Sequence, residues 1–169
     1  MKKILVCAML AVASIGFMNA QQVQNAIGIK FGDGGEISYQ HALGSANRLE
    51  VNLGTHSLNW GGSTAGVRSN SVFLTGIYQW VWDLSQLADG FQWYAGVGAW
   101  CGLHTTRVTV AGNTTSDSSV SVAVVGNIGI EYNFDFPLQL ALDWTPALTV
   151  TDGVQFGAEI FRLAARWRF

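Results

Sequence analysis

The last stretch of the sequence, residues 158–169, alternates with a period of two. Phe161, Leu163, Ala165, Trp167 and Phe169 fall on one face, and Ile160, Arg162, Ala164, Arg166 and Arg168 on the other. Successive side chains of a strand point to opposite sides of a sheet, so the pattern predicts a β-strand rather than a helix of period 3.6. It constrains the whole chain. A strand of this length needs neighbours, and its aromatic face needs a solvent that accepts it with no polar tail as a shield.

Composition narrows the choice of solvent. Charged residues are 12% of the 169 residues, about half the share usual in a soluble domain. Aromatic residues also reach 12%, and there are 20 glycines. Yet after the N-terminal segment no run approaches the roughly 18 apolar residues of a spanning helix. High hydrophobicity without such a run is expected of a transmembrane barrel, where lipid-facing residues alternate with lumen-facing ones.

Residues 1–20 read as a secretory signal peptide. Lys2 and Lys3 precede an apolar run from Ile4 to Phe17, and Met18-Asn-Ala20 offers a cleavage site ending in a small residue. Residues 21–169 then form one domain. Cys7 would leave with the signal, so Cys101 has no intramolecular disulfide partner. Loss of Lys2 and Lys3 takes the formal charge from −2 to −4, the wrong sign for a nucleic-acid partner.

Eight strands are predicted, at about 25–32, 36–43, 48–57, 71–83, 91–104, 119–134, 138–144 and 158–169. The third is the cleanest, with Leu49, Val51, Leu53 and Thr55 opposing Arg48, Glu50, Asn52, Gly54 and His56. Asp33-Gly-Gly35 suits a tight reversal. Short connections at 44–47, 84–90 and 135–137 alternate with long polar loops at 59–70 and 105–118, and 146–153 is the last loop. Tyr39, Trp80, Trp82, Phe91, Trp93, Tyr132 and Phe134, with Trp167 and Phe169, fall at strand ends beside the short turns or the C-terminus. Opposite strand directions gather those ends at one level, as an interfacial aromatic girdle.

The terminal Phe169 and its alternating neighbours resemble the closing strand of Gram-negative outer-membrane barrels, and residues 25–169 resemble the small barrels of the OmpA and OmpX type. The resemblance implies an all-β fold, an eight-stranded antiparallel up-and-down transmembrane barrel preceded by a cleaved signal peptide, in the outer membrane. It implies that Phe161, Leu163, Trp167 and Phe169 form a C-terminal signal for the barrel-assembly machinery. It further implies contact with outer-membrane lipids and lipopolysaccharide, a monomer, and no cofactor. No periplasmic domain is expected beyond Phe169.

Strand parity sends Lys30, Glu36, Gln40, Arg48, Glu50, Asn52, Gln79, Asp83, Asn127, Glu131, Asp143, Arg162 and Arg166 to the lumen. Eight strands enclose a space that side chains can fill, and buried charges must pair. A network of Lys30, Glu36, Arg48, Glu50, Glu131, Asp143, Arg162 and Arg166 is therefore expected, with Asp143 and then Glu131 as partners for Arg162 and Arg166. Glu36 and Glu50 would join from across the lumen. Catalytic and metal signatures are thin. His41, His56 and His104 show no metal-ligand spacing. Gly96-Val-Gly98 followed by Gly102 lies inside a strand, where glycines make room for Tyr94 and Trp100. The expected function is structural or surface interaction through the outer loops, without catalysis. Two alternatives are a lipid A-modifying enzyme using His56 and Ser57, which point to opposite faces, or His104, and a narrow channel.

Overall fold

The computed structural model describes residues 23–32, 34–61, 65–111, 113–151, 154–157 and 161–169, with the side chains of 58–61 and 65 left aside. The expected signal peptide, Asp33 and the first residues of the expected last strand lie outside these. Ten strands follow one another: β1 (Ala26–Phe31), β2 (Gly35–Ala42), β3 (Asn47–Gly61), β4 (Ala65–Asp83), β5 (Phe91–Val110), β6 (Asn113–Asn133), β7 (Leu138–Trp144), β8 (Ala147–Thr149), β9 (Gln155–Gly157) and β10 (Phe161–Arg168).

Eight of them close into an antiparallel barrel. Each of β1 to β6 pairs with the next, β7 pairs with β10, and β10 returns to β1 with Ile29 opposite Ala165. The seam is completed by the Phe169 amide on the Asn25 carbonyl at 2.9 Å. The β8–β9 hairpin stands outside the ring and pairs with β6 at Ala123–Val125. It extends the wall where β7 has ended.

The alternation sorts side chains by face. On β3, Asn52 is 1% exposed and Leu53 51%. Val97, Leu140 and Leu163 are likewise exposed, whereas Gln79, Gln139 and Arg166 are buried. An apolar exterior around a polar interior inverts the soluble pattern, and closure leaves the barrel wall without the unpaired edges that hydrocarbon penalises. The girdle residues touch in order at the end carrying the short turns. Trp82 stacks on Trp93 with centroids 4.2 Å apart, Phe91 meets Tyr132 at 4.8 Å, and Tyr132 meets Phe134 at 4.6 Å. Trp80 packs on Tyr78, and Tyr39 lies beside the exposed His41.

Two expected loops are strands instead. Residues 59–61, 65–70, 105–110 and 113–118 carry β3, β4, β5 and β6 far beyond the other wall, with Asn59 opposite Arg68 and Thr105 opposite Ser118; residues 62–64 and 112 lie outside the described ones. Val110 stands opposite Asn113, and Ala111 just beyond β5 has φ 51°, as tight hairpins require. The physical reason is a change of solvent. Above the membrane level both faces of the sheet meet water, so the apolar–polar alternation fades while Thr and Val still favour extended backbone. Cross-strand hydroxyl contacts, Thr109 to Thr114 at 3.0 Å among them, take its place. The last loop, 146–153, also differs, since it contains β8.

Candidate functional site: a sealed lumen beneath an open vestibule

Glu50, on β3, is the centre of the lower lumen. Its Oε1 accepts from Lys30 Nζ and Asn52 Nδ2, both at 2.9 Å. Its Oε2 accepts from Gln40 Nε2 at 2.9 Å, and from Gln79 Nε2 and Arg166 Nη2 at 3.1 Å each. Five donors from five strands thus meet on one fully buried carboxylate. A charge so placed is tolerable only with this much compensation.

The remaining charges extend outward from it. Lys30 also reaches Asp143 at 2.9 Å, and Asp143 accepts from the Tyr94 hydroxyl at 2.9 Å. Arg48 forms a two-pronged pair with Glu131 at 2.8 and 2.7 Å, and its guanidinium lies 4.7 Å from the Tyr94 ring centre. Bidentate guanidinium–carboxylate geometry is the strong form of this contact. Arg166 also donates to Ser38 Oγ, and Arg162 pairs with Glu36 at 3.1 Å. Four cations and four carboxylates are buried together, so the lumen is formally neutral. Towards the girdle, Gln92, Asn133 and Gln139 are linked through their amides, and Val23 packs with Val81, Tyr94, Ala141 and Ala164.

Above the Arg162–Glu36 pair the lumen opens into a cavity of about 340 Å³. A row of alternating residues crosses four strands there, His56 on β3, Ser71 on β4, His104 on β5 and Ser119 on β6, each opposite the next in register. Ser71 Oγ and His104 Nδ1 are 2.7 Å apart. The Trp100 indole packs between Phe73 and His104, with centroids 5.9 and 5.6 Å away. It occupies the space a Cβ on Gly102 would need, so glycine at 102 allows the ring to lie along the wall.

A closed eight-strand ring, an apolar exterior and a paired ionic interior are now in place. Among solved structures of similar fold, Ail, the attachment invasion locus protein of Yersinia pestis, superposes with a TM-score of 0.51 over 86% of this chain and 94% of that chain, at 15% identity. The fold is that of the small eight-stranded outer-membrane barrels. No protein-family model matches the sequence, and no curated protein matches it. The likeness therefore concerns architecture.

Within this barrel the residues Lys30, Glu36, Arg48, Glu50, Glu131, Asp143, Arg162 and Arg166 all face the lumen, and Arg162 and Arg166 take the expected cross-lumen acids rather than Asp143 and Glu131. Asp143 stands opposite Arg162 in register yet holds Lys30, while Arg162 takes Glu36 and Arg166 takes Glu50. Long side chains reach across the lumen, so register neighbours need not be ionic partners. Asp83 shares the lumen face with its buried register partner Gln92 but stands at the rim, beside the β4–β5 turn. It is half-exposed and binds the Ser85 amide and hydroxyl in the β4–β5 turn. Phe161, Leu163, Trp167 and Phe169 are all exposed on the outer face. The serine within reach of a histidine is Ser71 rather than Ser57. Ser71 opens the expected fourth strand, 71–83, and His104 ends the expected fifth, 91–104; alternation within each strand does not say which residues stand opposite, and the β4–β5 register sets these two against each other. Tyr94 was expected only as a bulky neighbour, and its hydroxyl proves part of the network.

Proposed function

We propose that this chain is an outer-membrane barrel of a Gram-negative cell whose lumen is structural and whose biological work is surface interaction. The supporting observation is the four-stranded extension. Strands β3 to β6 run 15 to 21 residues, against 6 to 8 for β1, β2, β7 and β10. Where β3 passes Thr55 it has outrun β2, and β6 above Ser121 lies beyond the residues that β8 pairs. Both flanks therefore carry open backbone edges among the described residues. Such edges accept an added strand from a partner. Replacing the segments above Ser57–Asn70 and Thr105–Ser118 by two-residue turns should leave a folded barrel and abolish attachment of producing cells to their partner surface. Unchanged attachment would refute the reading.

Insertion is assigned to the C-terminal row. Phe169→Ala is expected to lower the folded fraction recovered from the outer membrane, read by heat-dependent gel migration. Equal recovery would remove Phe169 from the assembly signal. A second reading, a lipid A-modifying hydrolase, is favoured by one observation, the 2.7 Å Ser71–His104 contact, which has the reach of a nucleophile–base pair. Against it, both residues face the lumen while lipid would lie outside the wall. Lipid A mass spectra from cells with and without the protein are expected to be the same. An acyl loss that vanishes in Ser71→Ala would reverse the choice.

A further inference from the structure

We propose that the vestibule is a binding site for a neutral saccharide, with Trp100 as its stacking platform. The proposal holds whatever the projecting sheet attaches to, because it rests on the cavity alone. First, several of the polar groups around it are uncommitted. His56, Thr75, Ser121, Thr149 and Gln155 line the space, and their side chains make no hydrogen bond to other described residues. This contrasts with the lower lumen, where nearly every buried polar side chain is bonded. Hydroxyl, imidazole and amide groups together offer both donors and acceptors, the complement of a ligand that carries several hydroxyls.

Second, the cavity has an aromatic wall. The Trp100 ring lies along β5 over Gly102, beside Phe73, and borders the cavity. An aromatic face carries partial negative charge, which suits the weakly positive C–H face of a pyranose ring. A sugar presents both surfaces at once, hydroxyls around its edge and C–H groups on its face. Third, charge argues for neutrality. Arg162 is the cation at the floor, and Glu36 already compensates it at 3.1 Å. A phosphate or carboxylate would find no unbalanced cation there. An acyl chain would strand the five polar side chains, each at the cost of a lost hydrogen bond to water. The volume, about 340 Å³, falls at the small end of ligand sites, which run from roughly 300 to 1,000 Å³.

The test uses the full chain folded in amine-oxide micelles, because alkyl-glycoside detergents carry sugar headgroups. Saturation-transfer NMR is recorded with D-glucose, D-galactose and N-acetyl-D-glucosamine at millimolar concentration, and with inorganic phosphate and octanoate. Transfer to the ring C–H protons of a saccharide is expected, with affinity about tenfold weaker in Trp100→Ala. Thr149→Val/Gln155→Leu, which alters the β8–β9 side, should also weaken binding and decides the matter if Trp100→Ala fails to fold. Silence from all three saccharides overturns the proposal. So does equal binding by the variants, or a response to phosphate or octanoate that exceeds the saccharides.

Discussion

Below the Arg162–Glu36 pair, side chains from opposite walls meet and bind one another. Above it, side chains from the same tall strands line a cavity and several bind nothing. The sequence of β3 changes little in character between Glu50, with five donors, and His56, with none. What changes is the opposite wall. At the level of Glu50 all eight strands are present, and an eight-strand ring is narrow enough to fill. Higher up, β1 has ended at Phe31 and β7 at Trp144, and among the described residues the short β8–β9 pair continues the far side. Polar residues are therefore consumed as structure where the ring is complete and left available where it is not.

The largest effect is expected at the centre of the sealed half. Glu50→Gln keeps shape and removes charge, leaving Lys30 and Arg166 without full compensation. Stability to urea should fall by roughly 3–5 kcal/mol; a loss below about 1 kcal/mol, the scale of an ordinary hydrogen bond, would mean that the lower lumen is hydrated like the upper. Next comes the exterior at the same height. Leu53→Arg should cost about 2–4 kcal/mol in a lipid bilayer, and a bilayer-confined thiol probe should label Leu53→Cys but not Asn52→Cys. Equal labelling would contradict the facing of β3. The smallest effect belongs to the vestibule. Ser71→Ala removes one hydrogen bond to His104 near water and should cost about 1 kcal/mol or less. A loss matching that of Glu50→Gln would erase the distinction between the two halves.

Much of this plan can be read from the residues in order, and the exceptions share a cause. Alternation located the barrel portions of the strands, because there one face meets an apolar surrounding and the other the lumen. It failed at 59–70 and 105–118, where both faces meet water and Thr–Thr and Ser–Thr contacts replace the apolar signal. Membership of the ionic set followed from parity, while partnership did not. Arg48 and Glu131 are 83 residues and three strands apart, and only closure of the ring brings them within 3 Å. Glu50 is one acid among several in the sequence. Its central place depends on Lys30 and Arg166 converging from the strands beside the β1–β10 seam, a distance that local patterns do not encode. The Ser71–His104 contact depends on the β4–β5 register, which alternation within either strand does not encode.

The central claim, a lumen sealed by a neutral ionic network beneath an open vestibule, is tested most directly by electrical recording. The purified barrel in planar bilayers should show no steady, reproducible conductance step, since the lower lumen holds side chains in place of a water column. A well-defined unitary conductance whose ion selectivity shifts in Arg162→Glu would show a continuous path past Glu50 and contradict the account.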